Sequence, residues 1–152
     1  FAQLCEMAEE EVNFASRVDV NDDVFLAPDN MTQAIKDYCR NAGCEVPETV
    51  GQIATVIYQS LAECYAETVK EIEAITGRYF PAINIVGGGS NAAYLNQLTA
   101  DKSGRVVYAG PGEATAIGNL AVQMIKDGKF AGLAEVRKCI YDSFGVEKYE
   151  PK

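Results

Sequence analysis

At 152 residues, 48% of them apolar and 23% charged, the chain has the size and balance of one globular domain able to bury its own core. It carries 22 acidic against 13 basic residues, net −9, with no Lys/Arg cluster, so a nucleic-acid partner is not expected. Five cysteines without a C-x-x-C pair, and no histidine, argue against a disulfide framework, a typical zinc site and any histidine-assisted nucleophile within this chain.

Residues Phe1 to Val12 set Leu4, Met7 and Ala8 among glutamates at helical spacing. The pattern begins without a cap in front of it, which suggests a cut chain. Asn13 to Asn30 mixes turn-formers with isolated apolar anchors and reads as a surface loop. Its acidic trio Asp19, Asp22 and Asp23 lacks the glycine and closing glutamate of a calcium loop, so a solvated turn is expected. Asn30 and Gln33 form a capping box for a helix with Met31, Ile35, Tyr38 and Cys39 on one face, ending at Asn41-Ala42-Gly43. After Pro47, the residues Val50, Ile53, Ile57, Leu61, Cys64, Val69, Ile72 and Ile75 predict about seven turns of helix closed by Gly77. Glu63, Glu67, Lys70, Glu71 and Glu73 are expected on its solvated side.

Ile83 to Val86 is a short strand that runs into Gly87-Gly88-Gly89 and then a helical pattern with Tyr94, Leu95 and Leu98. Glycines admit a ligand close to the backbone, and Ser90 or Asn91 is placed to cap the helix, whose free N–H groups would favour a phosphate. A tight corner without a ligand is the simpler alternative. Gly104 ends the helix before a second strand, Arg105 to Tyr108, and the long crossover implies a parallel pair. Ala109-Gly110-Pro111-Gly112-Glu113 is a second glycine-bearing corner, expected at the same carboxyl edge of the sheet, where ligands of open α/β sheets bind. The following helix carries Ala114, Ile117, Leu120, Ala121, Met124 and Ile125. Gly118 inside it points to close helix packing or to room for a flat ligand such as adenine. Gly128 ends that helix, Leu133 to Phe144 form another, and Glu147 to Lys152 read as a polar tail.

No lysine follows the triple glycine before Lys102, so a P-loop is excluded. Gly87, Gly89 and Ala92 fit a dinucleotide-binding fingerprint, but the next strand ends in Tyr108-Ala109-Gly110 without the acidic residue that would hold a ribose. The remaining reading makes both glycine corners walls of an ATP site.

Ile85 to Asn91, Leu95 to Asp101 and Ala109 to Asn119, in this order, resemble the carboxyl-terminal lobe of the FGGY carbohydrate kinases. Asp22 to Pro28, Cys39-Arg40 and Pro47-Glu48 add a resemblance to the members that act on L-rhamnulose, and the match runs over nearly all the chain. The resemblance implies a helix-rich α/β fold, a partial actin-like (ribonuclease-H-like) ATPase lobe with a short parallel βαβ unit packed by helices. Residues 1–152 would be a single domain, a fragment of the ATP-binding lobe of a larger two-lobe kinase. That kinase would move the γ-phosphoryl of Mg-ATP to a ketose hydroxyl, L-rhamnulose giving its 1-phosphate. By the same resemblance Gly88 contacts ATP, Gly87, Gly89 and Ser90 shape its turn, Asn91 stands next to the family's usual asparagine position at Ala92, and the helix bearing Gly118 flanks the base.

The family's catalytic aspartate, sugar site, other phosphate loop and an ATP-binding glutamine would precede Phe1, and Mg²⁺ ligands would lie mainly outside this chain. No catalytic or metal-binding residue is therefore assigned within residues 1–152. The expected partners are an amino-terminal lobe, ATP and a ketose, in a soluble cytoplasmic protein with no membrane or nucleic-acid partner. An open strand edge also makes self-association of the chain an expectation. A non-catalytic nucleotide-binding or interaction domain that reuses the lobe is the competing reading.

Overall fold

A computed structural model describes residues 2–152; Phe1, read above as the first residue of the opening helix, lies outside the described residues. The chain forms α1 (Ala2–Glu10), α2 (Met31–Asn41), α3 (Val50–Thr76), β1 (Ala82–Ile85), α4 (Ala93–Ser103), β2 (Val106–Ala109), α5 (Ala114–Lys126), α6 (Leu133–Ser143) and β3 (Glu147–Tyr149). This is a helix-rich α/β arrangement around a small mixed sheet of order β1-β2-β3.

Helix boundaries follow local chemistry. Asn30 accepts the Gln33 N–H at 3.0 Å, but Gln33 turns its own amide to Asp37, so only half of the expected capping box forms. The complete box stands at α3, where the Thr49 hydroxyl accepts the Gln52 N–H at 3.1 Å and the Gln52 side chain accepts the Thr49 N–H at 3.4 Å. Gly77, at φ 64°, closes α3 in the left-handed conformation that glycine tolerates.

The buried side of α3 differs from the expected apolar stripe. Gly51, Ala54, Thr55, Tyr58, Gln59, Ala62 and Ala66 are buried, whereas Ile72 and Ile75 are 44% and 84% exposed. Small side chains win because α1 comes so close that the Thr55 hydroxyl donates to the Ala8 carbonyl at 2.9 Å. Cys5, Ala8, Ala54, Tyr58, Ala62, Tyr94, Leu95 and Leu98 form the main core between α1, α3 and α4. Ile53 instead packs, half-buried, against a second cluster built on Phe14, Ile35, Cys39 and Val56, and Ile57 packs against both.

Glu63 and Glu73 are likewise not part of a merely solvated face. Glu63 takes the Lys102 ammonium at 2.8 Å and the Arg17 guanidinium at 3.4 Å; Glu73 accepts the Phe80 N–H at 2.9 Å and Arg105 at 3.0 Å. Burial pushes the Glu63 carboxyl up, yet the Lys102 and Arg17 partners outweigh it and hold it below the ordinary 4.5. The Phe80 N–H, opposed by burial and helped by Arg105, lowers Glu73 as well. Folded carboxylates depressed in this way bind fewer protons than unfolded ones, so they add stability above pH 4.5 and lose it as pH falls through their lowered folded values. Urea midpoints of the 152-residue chain should therefore be flat above that pH and fall below it, with a shallower fall in Glu63→Gln and Glu73→Gln.

The first two strands are parallel, with Ala82 opposite Val106 and Ile85 opposite Ala109, as the long crossover requires. The expected polar tail is not one: Glu147 to Tyr149 form β3, antiparallel to β2, with Tyr149 opposite Val107. A three-residue edge strand of this composition has no alternation to betray it and owes its state to the tertiary pairing. On the other side of the sheet β1 keeps an open edge. Helix α5 buries only Ala121 and leaves Leu120 and Val122 exposed.

Candidate functional site

Parallel pairing of β1 and β2 sets both glycine corners side by side at the carboxyl ends of the strands. They are fastened to each other: the Gly110 N–H donates to the Ile85 carbonyl at 2.8 Å, and the Gly87 N–H to the Pro111 carbonyl at 3.1 Å. Gly87 has φ 77° and ψ −163°, a conformation that a side chain would strain.

From Gly87 the chain winds into a 3-10 turn, Gly88–Asn91. The Ser90 N–H and hydroxyl both donate to the Gly87 carbonyl, at 3.1 and 2.7 Å. Helix α4 then starts behind Ala92 with no side-chain cap, which corrects the expectation that Ser90 or Asn91 caps it. The Ser90 hydroxyl is already committed to its own turn, and Asn91 lies inside that turn. The donors nearest the corner are thus the Gly88 and Gly89 N–H groups, which open the 3-10 turn and have no partner within it. A Cβ at either residue would meet nothing within 4 Å. Gly88 and Gly89 are exposed, and consecutive backbone N–H groups at such a turn can receive an anion.

Beside this turn lies a cleft of about 270 Å³, lined by Ser90 and Asn91, by Gly110 to Gly112 from the second corner, and by Phe144, Glu147 and Tyr149. Glu147 and Tyr149 were missed by sequence reasoning, because a chain read as a tail has no reason to fold back, and Phe144 was read only as the last apolar residue of a helix pattern. Among the described residues no lysine or arginine lines the cleft, so these residues offer an anion backbone N–H groups rather than a cationic side chain. The Tyr149 hydroxyl donates to Glu147 at 2.5 Å; burial, then this acceptor, pushes the phenol up and keeps it protonated.

Of the sequence-assigned residues, Ser90 and Asn91 line the cleft, while Gly87, Gly88 and Gly89 form the turn next to it. Gly118 is on an exposed part of α5 and does not line the cleft. In the acidic trio, Asp22 accepts the Val24 N–H at 3.0 Å and Asp19 the Asn21 N–H at 2.9 Å, both within local turns. Among the described residues no helix is long and apolar enough to cross a membrane, and no group of three or more His, Cys, Asp or Glu side chains is placed to hold a metal ion.

Comparison with known proteins matches residues 1–126 to the FGGY family of carbohydrate kinases, C-terminal domain. The rhamnulokinase of Halalkalibacterium halodurans is 47% identical over 149 residues, 98% of this chain and 32% of the relative. Those of Ligilactobacillus salivarius and Bacillus subtilis are 45% and 43% identical over the whole chain, 31% of each relative. The chain thus spans about a third of the length of the curated relatives it matches. Helix α6 and strand β3 lie beyond the family match but within the span shared with these relatives.

Proposed function

Because this chain belongs to the FGGY family of carbohydrate kinases, as a carboxyl-terminal domain, we propose that it is the nucleotide-binding lobe of a sugar kinase. The complete enzyme transfers the γ-phosphoryl of Mg-ATP to a hydroxyl of a ketose, L-rhamnulose, in the cytoplasm, and the lobe is of the actin-like kind. The sugar assignment draws on relatives that are named rhamnulokinases. The lobe assignment draws on their length and on apolar side chains, such as Leu120 and Val122, left exposed for a covering partner.

The observation that carries the nucleotide reading is the pair of glycine corners bonded to each other, with the Gly88 and Gly89 backbone bare on the open side. These residues suit a phosphate-bearing ligand, since N–H groups there can bind oxygens without a side chain in the way. A cleft of about 270 Å³ is below the ~300–1,000 Å³ that encloses a whole drug-sized ligand, which fits a wall rather than a complete site. Gly87 and Ser90 hold the turn, Gly88 and Gly89 donate to phosphate oxygens, and Asn91 faces the nucleotide. Gly118, where an added Cβ would meet nothing within 4 Å, leaves room for the base on α5. When bound, Mg-ATP supplies the phosphoryl group and the metal charge that steadies its transfer. The base that orients the sugar hydroxyl, the sugar site and most metal ligands come from the rest of the enzyme.

An ATP titration of the isotope-labelled 152-residue chain tests this reading. Weak binding is expected, with amide shifts confined to Gly87 to Asn91 and Gly110 to Gly118, and no phosphorylation of L-rhamnulose. Robust rhamnulose-dependent ATP turnover by the chain alone would overturn the one-lobe assignment. Shifts elsewhere, or displacement of ATP by NADH, would overturn the nucleotide site.

A further inference from the structure

We propose that Asn96 is a positioning residue for the nucleotide turn, its buried amide fastening the Ser90 carbonyl, and with it the Gly88–Asn91 turn, to α4. This rests on the nucleotide reading above. Asn96 is 0% exposed, in a helix whose other buried members include Tyr94, Leu95 and Leu98. An amide is costly to bury there unless its bonds do something that an apolar residue cannot. Its Nδ2 donates to the Ser90 carbonyl at 2.9 Å, six residues back, across the junction between the 3-10 turn and α4. Its Oδ1 is buried without a hydrogen-bond partner, so the residue is not kept for complete polar satisfaction.

Two further bonds hold α4 against the segment that follows β3: Gln97 Nε2 to the Glu150 carbonyl at 2.8 Å, and the Lys152 N–H to Asp101 at 3.0 Å. Because Ser90 directly follows Gly88 and Gly89, any drift of its carbonyl re-aims the two N–H groups offered to phosphate.

The test uses the full-length kinase. Asn96→Leu keeps the shape and removes both donors; Asn96→Ala removes them with a smaller side chain. For Asn96→Leu the KM for ATP should rise about tenfold, while the KM for the sugar stays within about twofold, and Asn96→Ala should raise the ATP KM by about fivefold. A folded Asn96→Leu enzyme with an ATP KM within about twofold of the parent, or with equal rises in both KM values, overturns the tether. If Asn96→Leu does not fold, an ATP KM within about twofold of the parent in Asn96→Ala overturns it instead. A parent enzyme whose turnover does not depend on ATP overturns the nucleotide reading itself, which separates the two failures.

Discussion

Replacing Gly88 with valine should raise the KM of the full-length kinase for ATP by about a hundredfold, or abolish measurable turnover, while the melting temperature stays within a degree or two of the parent. The protein itself has no objection to the side chain. Gly88 is not among the glycines with positive φ, and a Cβ there meets nothing within 4 Å. A ligand that reaches the Gly88 N–H, by contrast, must pass through the volume that the valine methyls would occupy. Gly87 is the necessary contrast: at φ 77° a valine strains the backbone whatever is bound, so loss of activity in Gly87→Val would carry no information about the nucleotide. A Gly88→Val enzyme with unchanged ATP kinetics would remove the glycine turn from the site.

The features that made this site legible in the sequence are those governed by neighbours along the chain. Gly77 and Gly104 end helices through their own left-handed conformations, and the crossover between Val86 and Arg105 has the length and the helix that a parallel pair needs. Parallel pairing alone then brings the Gly87 and Gly110 corners together. Features governed by packing were not legible. Which side of α3 is buried depends on how near α1 comes, and periodicity rates Ile72 above Ala54, although the structure exposes the first and buries the second. Strand β3 is too short to show a period, and its Glu147 and Tyr149 reach the cleft only through pairing with β2. Asn96 counts as polar in any pattern, yet it is sealed in the core because its partner, Ser90, lies in a turn that local rules would have made a cap.

Two glycine-to-alanine changes, at Gly51 in the first turn of α3 and at Gly118 inside α5, should move stability in opposite directions. Alanine exceeds glycine in helix preference by about 1 kcal/mol in a helix interior, a gain that applies in full at Gly118 and only in part at Gly51. At Gly51 the new Cβ would lie 2.6 Å from the Met7 carbonyl oxygen and 3.1 Å from the Glu11 side chain. The carbonyl belongs to helix backbone and cannot rotate away, so α1 must lift off α3 and loosen the packing of Cys5 and Ala8. Overpacking of this kind costs about 1–3 kcal/mol, and loss of the Thr55 to Ala8 hydrogen bond adds about 1 kcal/mol, so Gly51→Ala should be destabilised by about 2 kcal/mol net. At Gly118 nothing lies within 4 Å of the new atom, so only the helix gain remains and the variant should be more stable by about 0.5–1 kcal/mol. Urea midpoints at unchanged m read both effects in the 152-residue chain. Equal shifts of the same sign would mean that α1 does not rest on Gly51. Gly118→Ala has a second readout in the full-length kinase, because a more stable variant with weakened ATP binding places the base against α5, whereas unchanged binding moves it elsewhere.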